Sequence, residues 1–317
     1  MAAESKQTRF RSYMLGEKGG SYSYFDGDRF TLIEARLNNE NRQNVIDEMG
    51  LCSVRKIHCL HITSWDNDHC KRSELEEILE SFHPSKIEYP GYTPHTENGV
   101  ESLRLIKNFK NKKIKAGKNV EAISVSPKYI KSLKKASTLK YNDVLYNPLD
   151  IEAKSANDKS TIKFFRTGSF NVLSLGDVED ENIASYLREL SIVRNEVDVM
   201  IMAHHGADNG FTTSSFIKKI KPLVAIVGSN YANQYQHPKQ EIRDLLYHND
   251  VKLFTTKTGD IVIHSTKTHT GEFRVNNFKS KNTDISSTCD FISKKRALLK
   301  NNEDTLNARR KKTNRIY

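Results

Sequence analysis

Apolar residues recur along the chain in short alternating runs, broken by polar, glycine- or proline-bearing stretches, and this pattern predicts strands interleaved with helices. Residues 21–25 and 30–35 flank Asp26-Gly27-Asp28, a strand, turn, strand signal. Residues 38–49 are polar and helix-compatible, and 56–62 predict a half-buried strand. Leu75, Ile78, Leu79 and Phe82 stand at helical spacing within 72–82. A short strand over 86–89 stops at Pro90-Gly91, and helices are predicted over 97–110 and 127–136. A second hairpin joins 161–165 to 171–175 across Thr167-Gly168. Beyond it come a helix at 181–193, a strand at 197–203, a helix at 213–220, a strand at 223–228 and a helix at 238–247. Strands at 253–256, 261–265 and 272–275 close the pattern near residue 278. Hairpins mixed with strand–helix repeats predict layered α/β packing, with helices covering sheet faces.

A chain of 317 residues can bury a sizeable core, and 37% hydrophobic with 28% charged residues fits a soluble protein. No run approaches the roughly 20 apolar residues of a membrane span, and the N-terminus lacks a signal-peptide core. Cys52, Cys59, Cys70 and Cys289 show no paired spacing, so a cytoplasmic chain with reduced thiols and no membrane attachment is expected. Charge is unevenly placed. Of the total of +11, +10 falls in residues 107–140 and +6 in 290–317, which leaves −5 for the rest. Such lysine-rich segments serve either solubility or the tracking of a polyanion. Under the second alternative Lys112, Lys113, Lys115, Lys134 and Lys135 are candidate nucleic-acid contacts. The main domain is expected over 8–278, followed at 279–317 by a basic tail, partly disordered or helical.

The chemistry gathers at the C-terminal ends of predicted strands. Asp66, Asp68 and His69 follow the strand at 56–62, where two carboxylates and an imidazole within four positions need a neutralising partner or else cap the next helix. Asp177 ends the strand at 171–175 and could cap the helix after it. His204-His205-Gly206 ends the strand at 197–203, and His237-Pro238 follows the strand at 223–228. Four independent coincidences at four strand ends are a poor account of this order.

The order of Asp66-Asn67-Asp68-His69, Leu173-Ser174-Leu175-Gly176-Asp177, His204-His205-Gly206 and His237-Pro238 resembles the metallo-beta-lactamase fold. It is most similar to the hydrolase domain of ComEC/Rec2-type DNA-uptake proteins. That resemblance implies a four-layer αββα sandwich of the α/β (α+β) class, with a metal site in the cleft between two sheets. It maps Asp66, Asp68, His69, Asp177 and His204 onto metal positions, with Asp177 bridging two ions. It gives Asp68, Asp177 and His237 catalytic parts and His205 a substrate contact. Two positions depart from the pattern. Ser64 stands where the first ligand is usual, and Glu34 stands where an Asp is usual. One of two metal positions should therefore be weakened, and His61, three positions early, is expected to pack rather than substitute.

The expected cofactor is one or two divalent ions, with manganese competing with zinc because the set is rich in carboxylates. The expected activity is metal-dependent hydrolysis of phosphodiesters in DNA or RNA by a stand-alone nuclease, including defence against foreign DNA. The alternatives are a hydrolase of small phosphodiesters such as signalling nucleotides, and a non-catalytic nucleic-acid-binding module, which Ser64 keeps open.

Overall fold

The computed structural model describes residues 7–133, 143–146, 155–267, 270–280 and 282–296. The N-terminal half runs β1 (Arg9–Ser12), β2 (Tyr22–Phe25), β3 (Phe30–Ile33), α1 (Arg42–Leu51), β4 (Cys59–His61), α2 (Arg72–Ser81), β5 (Lys86–Pro90), α3 (Glu97–Lys115), β6 (Glu121–Val125) and α4 (Pro127–Ser132). The C-terminal half runs β7 (Val144–Tyr146), β8 (Ile162–Phe165), β9 (Val172–Ser174), α5 (Glu181–Glu189), α6 (Ser191–Glu196), β10 (Val199–Ile201), α7 (Ser214–Ile220) and β11 (Val224–Val227). It continues with α8 (Gln240–Tyr247), β12 (Lys252–Thr255), β13 (Ile261–Ser265), β14 (Glu272–Phe278) and β15 (Ile285–Ile292).

Two sheets form among the described residues, one in the order β15-β14-β13-β1-β2-β3-β4-β5-β6 and one in the order β12-β11-β10-β9-β8-β7. Each has a parallel run, β3 to β6 in the first sheet and β9 to β12 in the second. The two-residue period of a strand sorts side chains between layers. Val199, Ile201, Val224 and Ile226 join Phe10, Tyr24 and Ile33 between the sheets. Met200, Ala225 and Val227 face the opposite way, among Leu187, Ile217 and Leu246 of the helices. Leu32, Leu60 and Ile87 pack against Val45, Leu75, Ile78 and Ile106 on the outer face of the first sheet. Three apolar cores thus separate four layers, helices, sheet, sheet, helices, the αββα sandwich expected from the motif order.

The elements differ from the sequence pattern in specific places. The predicted helix at 181–193 divides at Leu190, whose backbone is extended. Strands β1, β6 and β7 are additional, each being too short or too polar to announce itself. Helix α4 stops at Ser132, and residues 134–136 of the predicted helix lie outside the described residues. No described helix is long and apolar enough to cross a membrane.

The chain also does not leave the sheet at 278. Strand β15 pairs antiparallel with β14 from Glu272↔Ile292 to Phe278↔Ile285, and Phe291 stacks on Phe273 at 5.4 Å. Past it, Ser293 Oγ donates to Asp198 Oδ2 at 2.7 Å, the Lys294 amide donates to Oδ1 at 2.8 Å, and Lys295 Nζ donates to Asn171 Oδ1 at 2.7 Å. The expected tail is therefore folded structure over 285–296, because buried Asp198 needs donors from that segment; residues 297–317 lie outside the described residues.

Ending the chain at residue 280 is expected to remove two of the three hydrogen-bond donors to the buried Asp198 carboxylate, leaving the Asn171 amide, and to uncover Phe273. At about 1–3 kcal/mol for each buried group left without a partner, the melting temperature should fall by roughly 5 °C or more. A calorimetric scan showing an unchanged transition would place the end of the fold before β15.

Candidate metal centre

The parallel strands of both sheets direct their C-terminal ends to one seam, the place where open α/β sheets bind ligands. Strand β3 runs into Glu34, and β4 runs into Thr63 and the loop 64–70. From the second sheet, β9 leads to Asp177, β10 to His204-His205-Gly206, and β11 to the loop that ends at His237. Asp68, His69, Asp177 and His205 each present one donor atom, all within 4.8 Å of one another. His69 Nε2 lies 2.8 Å from Asp177 Oδ2 and 4.0 Å from Asp68 Oδ1. His205 Nε2 lies 3.8 Å from Asp68 Oδ2 and 3.9 Å from Asp177 Oδ1.

The backbone is bent to reach this geometry. Glu34, His204 and His205 all have positive φ, at 69°, 43° and 53°, a region that costs a residue with a side chain roughly 1–2 kcal/mol. Gly206 completes the turn at φ 78°, where a Cβ would sit 2.7 Å from Pro238 Cβ. Glu34 then acts as a bracket for His69. Its Oε1 is 3.1 Å from His69 Nδ1 and accepts from Thr63 Oγ1 at 2.5 Å, while its Oε2 accepts from the Thr63 amide at 3.0 Å. A carboxylate on Nδ1 fixes the ring and leaves Nε2 for the centre.

The donors fit a divalent ion. His69 Nε2, Asp177 Oδ1 and His205 Nε2 are buried without a hydrogen-bond partner, and the 2.8 Å approach of His69 to Asp177 is not aligned as a hydrogen bond. Two imidazoles and two carboxylates, convergent, with His205 partly buried and the other three buried, suit zinc or manganese. Electrostatics agree. Burial alone would lower the His69 pKa, but Asp177 and Glu34 outweigh it and hold it well above the usual range. Burial would raise Asp177, yet His69 and His205 draw it well below the carboxylate range. His205 is lowered, chiefly by burial, so its imidazole is neutral and ready to donate a lone pair.

The structure thus brings together Asp68, His69 and Asp177 of the residues singled out in the sequence, with His205 rather than His204 as the fourth donor. His204 lines the cleft outside the four-donor set, with its Nδ1 paired to Glu179. Asp66 is outside the four-donor set, at the cleft, where its Oδ2 accepts from Ser64 Oγ at 3.1 Å. Ser64 is buried and also 3.2 Å from the Tyr92 hydroxyl, so it fills its place by packing. His237 stacks on Tyr235 at 5.7 Å with its centroid 5.9 Å from His204; burial and the neighbouring histidines lower its pKa to about 4. His61 is packed between the sheets, with Nδ1 2.9 Å from Glu88.

The lysines are further off. The side chain of Asn98, at the start of α3, donates to the backbone of Trp65 and Cys70 in the metal loop. Lys112 is fourteen residues along that helix, about 20 Å away at 1.5 Å per residue, with Lys113 and Lys115 beyond it. They cannot touch a group held at the centre. Lys134 and Lys135 lie outside the described residues. Glu34 stands at the position where the motif pattern has an Asp, whereas Glu179 and Lys18 carry no signal in the sequence because each meets the centre through tertiary contacts alone.

No family model matches the chain. It is 24% identical over 229 residues to ComE operon protein 3 of Bacillus subtilis, covering 70% of this chain and 26% of that protein. It is 25% identical over 103 residues to Recombination protein 2 of Haemophilus influenzae, covering 32% of this chain and 12% of that protein. The chain therefore spans about a quarter or less of the length of these relatives. Among solved structures, the metallo-beta-lactamase fold protein YhfI from Bacillus subtilis has a TM-score of 0.48 at 11% identity, over 81% of this chain and 100% of that one. Igni18, a metallo hydrolase from Ignicoccus hospitalis, has a TM-score of 0.47 at 14% identity, over 80% and 98%. The chain is similar to metallo-beta-lactamase fold proteins. Its αββα layers are those of that fold.

An ion entering this centre must displace the proton that the carboxylates hold on His69. Below the raised pKa of His69 the affinity for Mn²⁺ or Zn²⁺ is expected to climb about tenfold per pH unit, with about one proton released per ion at neutral pH. Calorimetric titration in buffers of different ionisation enthalpy reads that number. His205→Ala is expected to weaken the first ion by about 100-fold or more, and His204→Ala by much less. Equal losses in the two variants would reverse the assignment of the fourth donor.

Proposed function

We propose that the chain is a metal-dependent phosphodiester hydrolase acting on nucleic acid. The observation that carries the proposal is the convergence of Asp68, His69, Asp177 and His205 beside an open cleft of ≈ 560 Å³. When bound there, a divalent ion supplies Lewis acidity, polarising a phosphoryl oxygen and making water nucleophilic near neutral pH. The chain's own residues hold and aim the site. Glu34 and Thr63 fix the His69 ring, and the left-handed turn at 204–206 sets His205 against Asp68 and Asp177. His237 is neutral at pH 7 and lies beside His204, which lines the cleft; its lowered pKa makes it a weak base, suited to contact the phosphate rather than to take a proton.

The polyanion is supported by the basic segment and by the names of the relatives, a competence operon protein and a recombination protein. Lys107, Lys112, Lys115 and Lys118 are exposed on or just after α3. At 3.4 Å of rise per nucleotide, the roughly 20 Å from there to the metal loop is about six base pairs. A long nucleic acid can reach both places and a dinucleotide cannot. Hydrolysis of a small phosphodiester is the second reading, favoured by the same separation, since the cleft alone holds a molecule of that size.

Single- and double-stranded DNA and RNA and a dinucleotide, each with Mn²⁺, Zn²⁺ or chelator, separate these readings. Metal-dependent cleavage of the polymers is expected, lost in Asp68→Ala prepared identically. Replacing the exposed α3 lysines by glutamine should flatten the salt dependence of binding by roughly one unit of log–log slope per lost contact. Equal cleavage by Asp68→Ala would sink the proposal, and cleavage of the dinucleotide alone would move it to the second reading.

A further inference from the structure

One cation reaches the centre without being able to ligate an ion. Lys18 Nζ sits 2.9 Å from Asp68 Oδ2 and 5.3 Å above the Tyr235 ring. Lys18 is one of the residues lining the cleft, on the loop between β1 and β2. Its side chain is 60% exposed, yet the backbone that carries it is pinned to the metal loop. The Gly20 amide donates to the Asp68 carbonyl at 3.2 Å, and the Lys18 carbonyl accepts from Arg36 Nη1 at 2.7 Å. Arg36 is itself buried and paired with Glu74 at 2.9 Å and Glu17 at 2.6 Å. Gly19 makes the approach possible, since at φ 121° an added Cβ would lie 2.4 Å from the Asp68 carbonyl oxygen.

The donors available explain what that cation replaces. The four converging side chains make one ion site, and Ser64 and Asp66, which follow the same strand, are bonded to each other outside it. Three carboxylates gather here, Glu34, Asp68 and Asp177. A divalent ion and the Lys18 ammonium would both offset that charge. A second divalent ion drawing on Asp68 Oδ2 would compete with Lys18, which already holds that oxygen.

We propose that Lys18 stands in for a second metal ion: the centre works with one divalent ion, and the Lys18 ammonium, seated on Asp68 at the cleft, offers its charge to a non-bridging oxygen of the scissile phosphate. The phosphate contact rests on the phosphodiester reading above; the exclusion of a second ion does not. An ammonium within hydrogen-bond reach of the shared carboxylate opposes a second cation strongly at this range.

Binding of Mn²⁺ alone to the metal-free full chain tests the exclusion, with Lys18→Ala and Lys18→Arg beside it. The native chain and Lys18→Arg are expected to take one ion tightly. In Lys18→Ala a second Mn²⁺ should bind at least about tenfold more tightly than in the native chain. Two equally tight ions in the native chain, or the same second-ion affinity in Lys18→Ala, would overturn the proposal. In the cleavage assay with one equivalent of Mn²⁺, Lys18→Ala should lose about 100-fold in kcat, with Lys18→Arg recovering most of it. An unchanged kcat would remove the phosphate contact. A chain that cleaves no phosphodiester but shows the expected second-ion competition would refute the substrate reading and keep the charge substitution.

Discussion

Carboxylates brought together away from water repel one another and lose hydration, and a fold can hold them only beside cations. Glu34, Asp68 and Asp177 meet at the seam between the two sheets under that constraint, and much of the local structure follows from it. The left-handed backbone at His204 and His205 aims His205 at Asp68 and Asp177, and that at Glu34 aims its carboxylate at His69. His69 is held between Glu34 on one ring nitrogen and Asp177 on the other. Lys18 is brought from a distant loop to the remaining oxygen of Asp68.

Other buried charges in the molecule show how such clusters look when the protein completes them. Glu88, nearly inaccessible between the sheets, has Lys163 at 2.8 Å, Lys86 at 2.7 Å and His61 at 2.9 Å, and burial is outweighed by these partners so that its pKa falls well below the usual range. Asp198 takes two backbone amides and one hydroxyl. A larger cleft of ≈ 770 Å³, bordered by Arg9, Arg11 and Asp260, shares no residue with the centre, and its arginines are paired with Glu48 and Asp260. Those groups are architectural. At the strand ends, by contrast, three buried atoms of one convergent donor set have no hydrogen-bond partner, against His61 Nε2 alone in the Glu88 cluster, and that convergence marks a binding site.

Much of this was legible in the sequence, and the failures share a cause. The hairpin at Asp26-Gly27-Asp28 and the apolar strands ending in Asp177 and in the histidine pair carried clear local signals of layered α/β packing and of where the chemistry lies, while the four-layer order followed from the family resemblance of the motifs. Strand β15, with the sequence ISSTCDFI and mostly exposed, offers only a weak apolar face, Cys289 and Phe291; it forms because β14 offers an edge and Asp198 needs donors. Which histidine of the pair enters the centre is set by two left-handed residues, a feature that residue spacing does not encode. Lys18 is fifty positions from Asp68, and only the Gly19-Gly20 approach hints that its loop lies against something closely packed. The lysine-rich segment announced its charge but not its distance, which the length of α3 supplies.

The central claim is that the two sheets build one ion site at this seam, and anomalous diffraction at the manganese edge from crystals of the full chain grown with Mn²⁺ tests it most directly. One strong peak is expected among His69 Nε2, His205 Nε2 and the carboxylates of Asp68 and Asp177, with Lys18 still on Asp68. A peak held by His204 and His237 in place of His205, or no peak at the seam, would contradict the account.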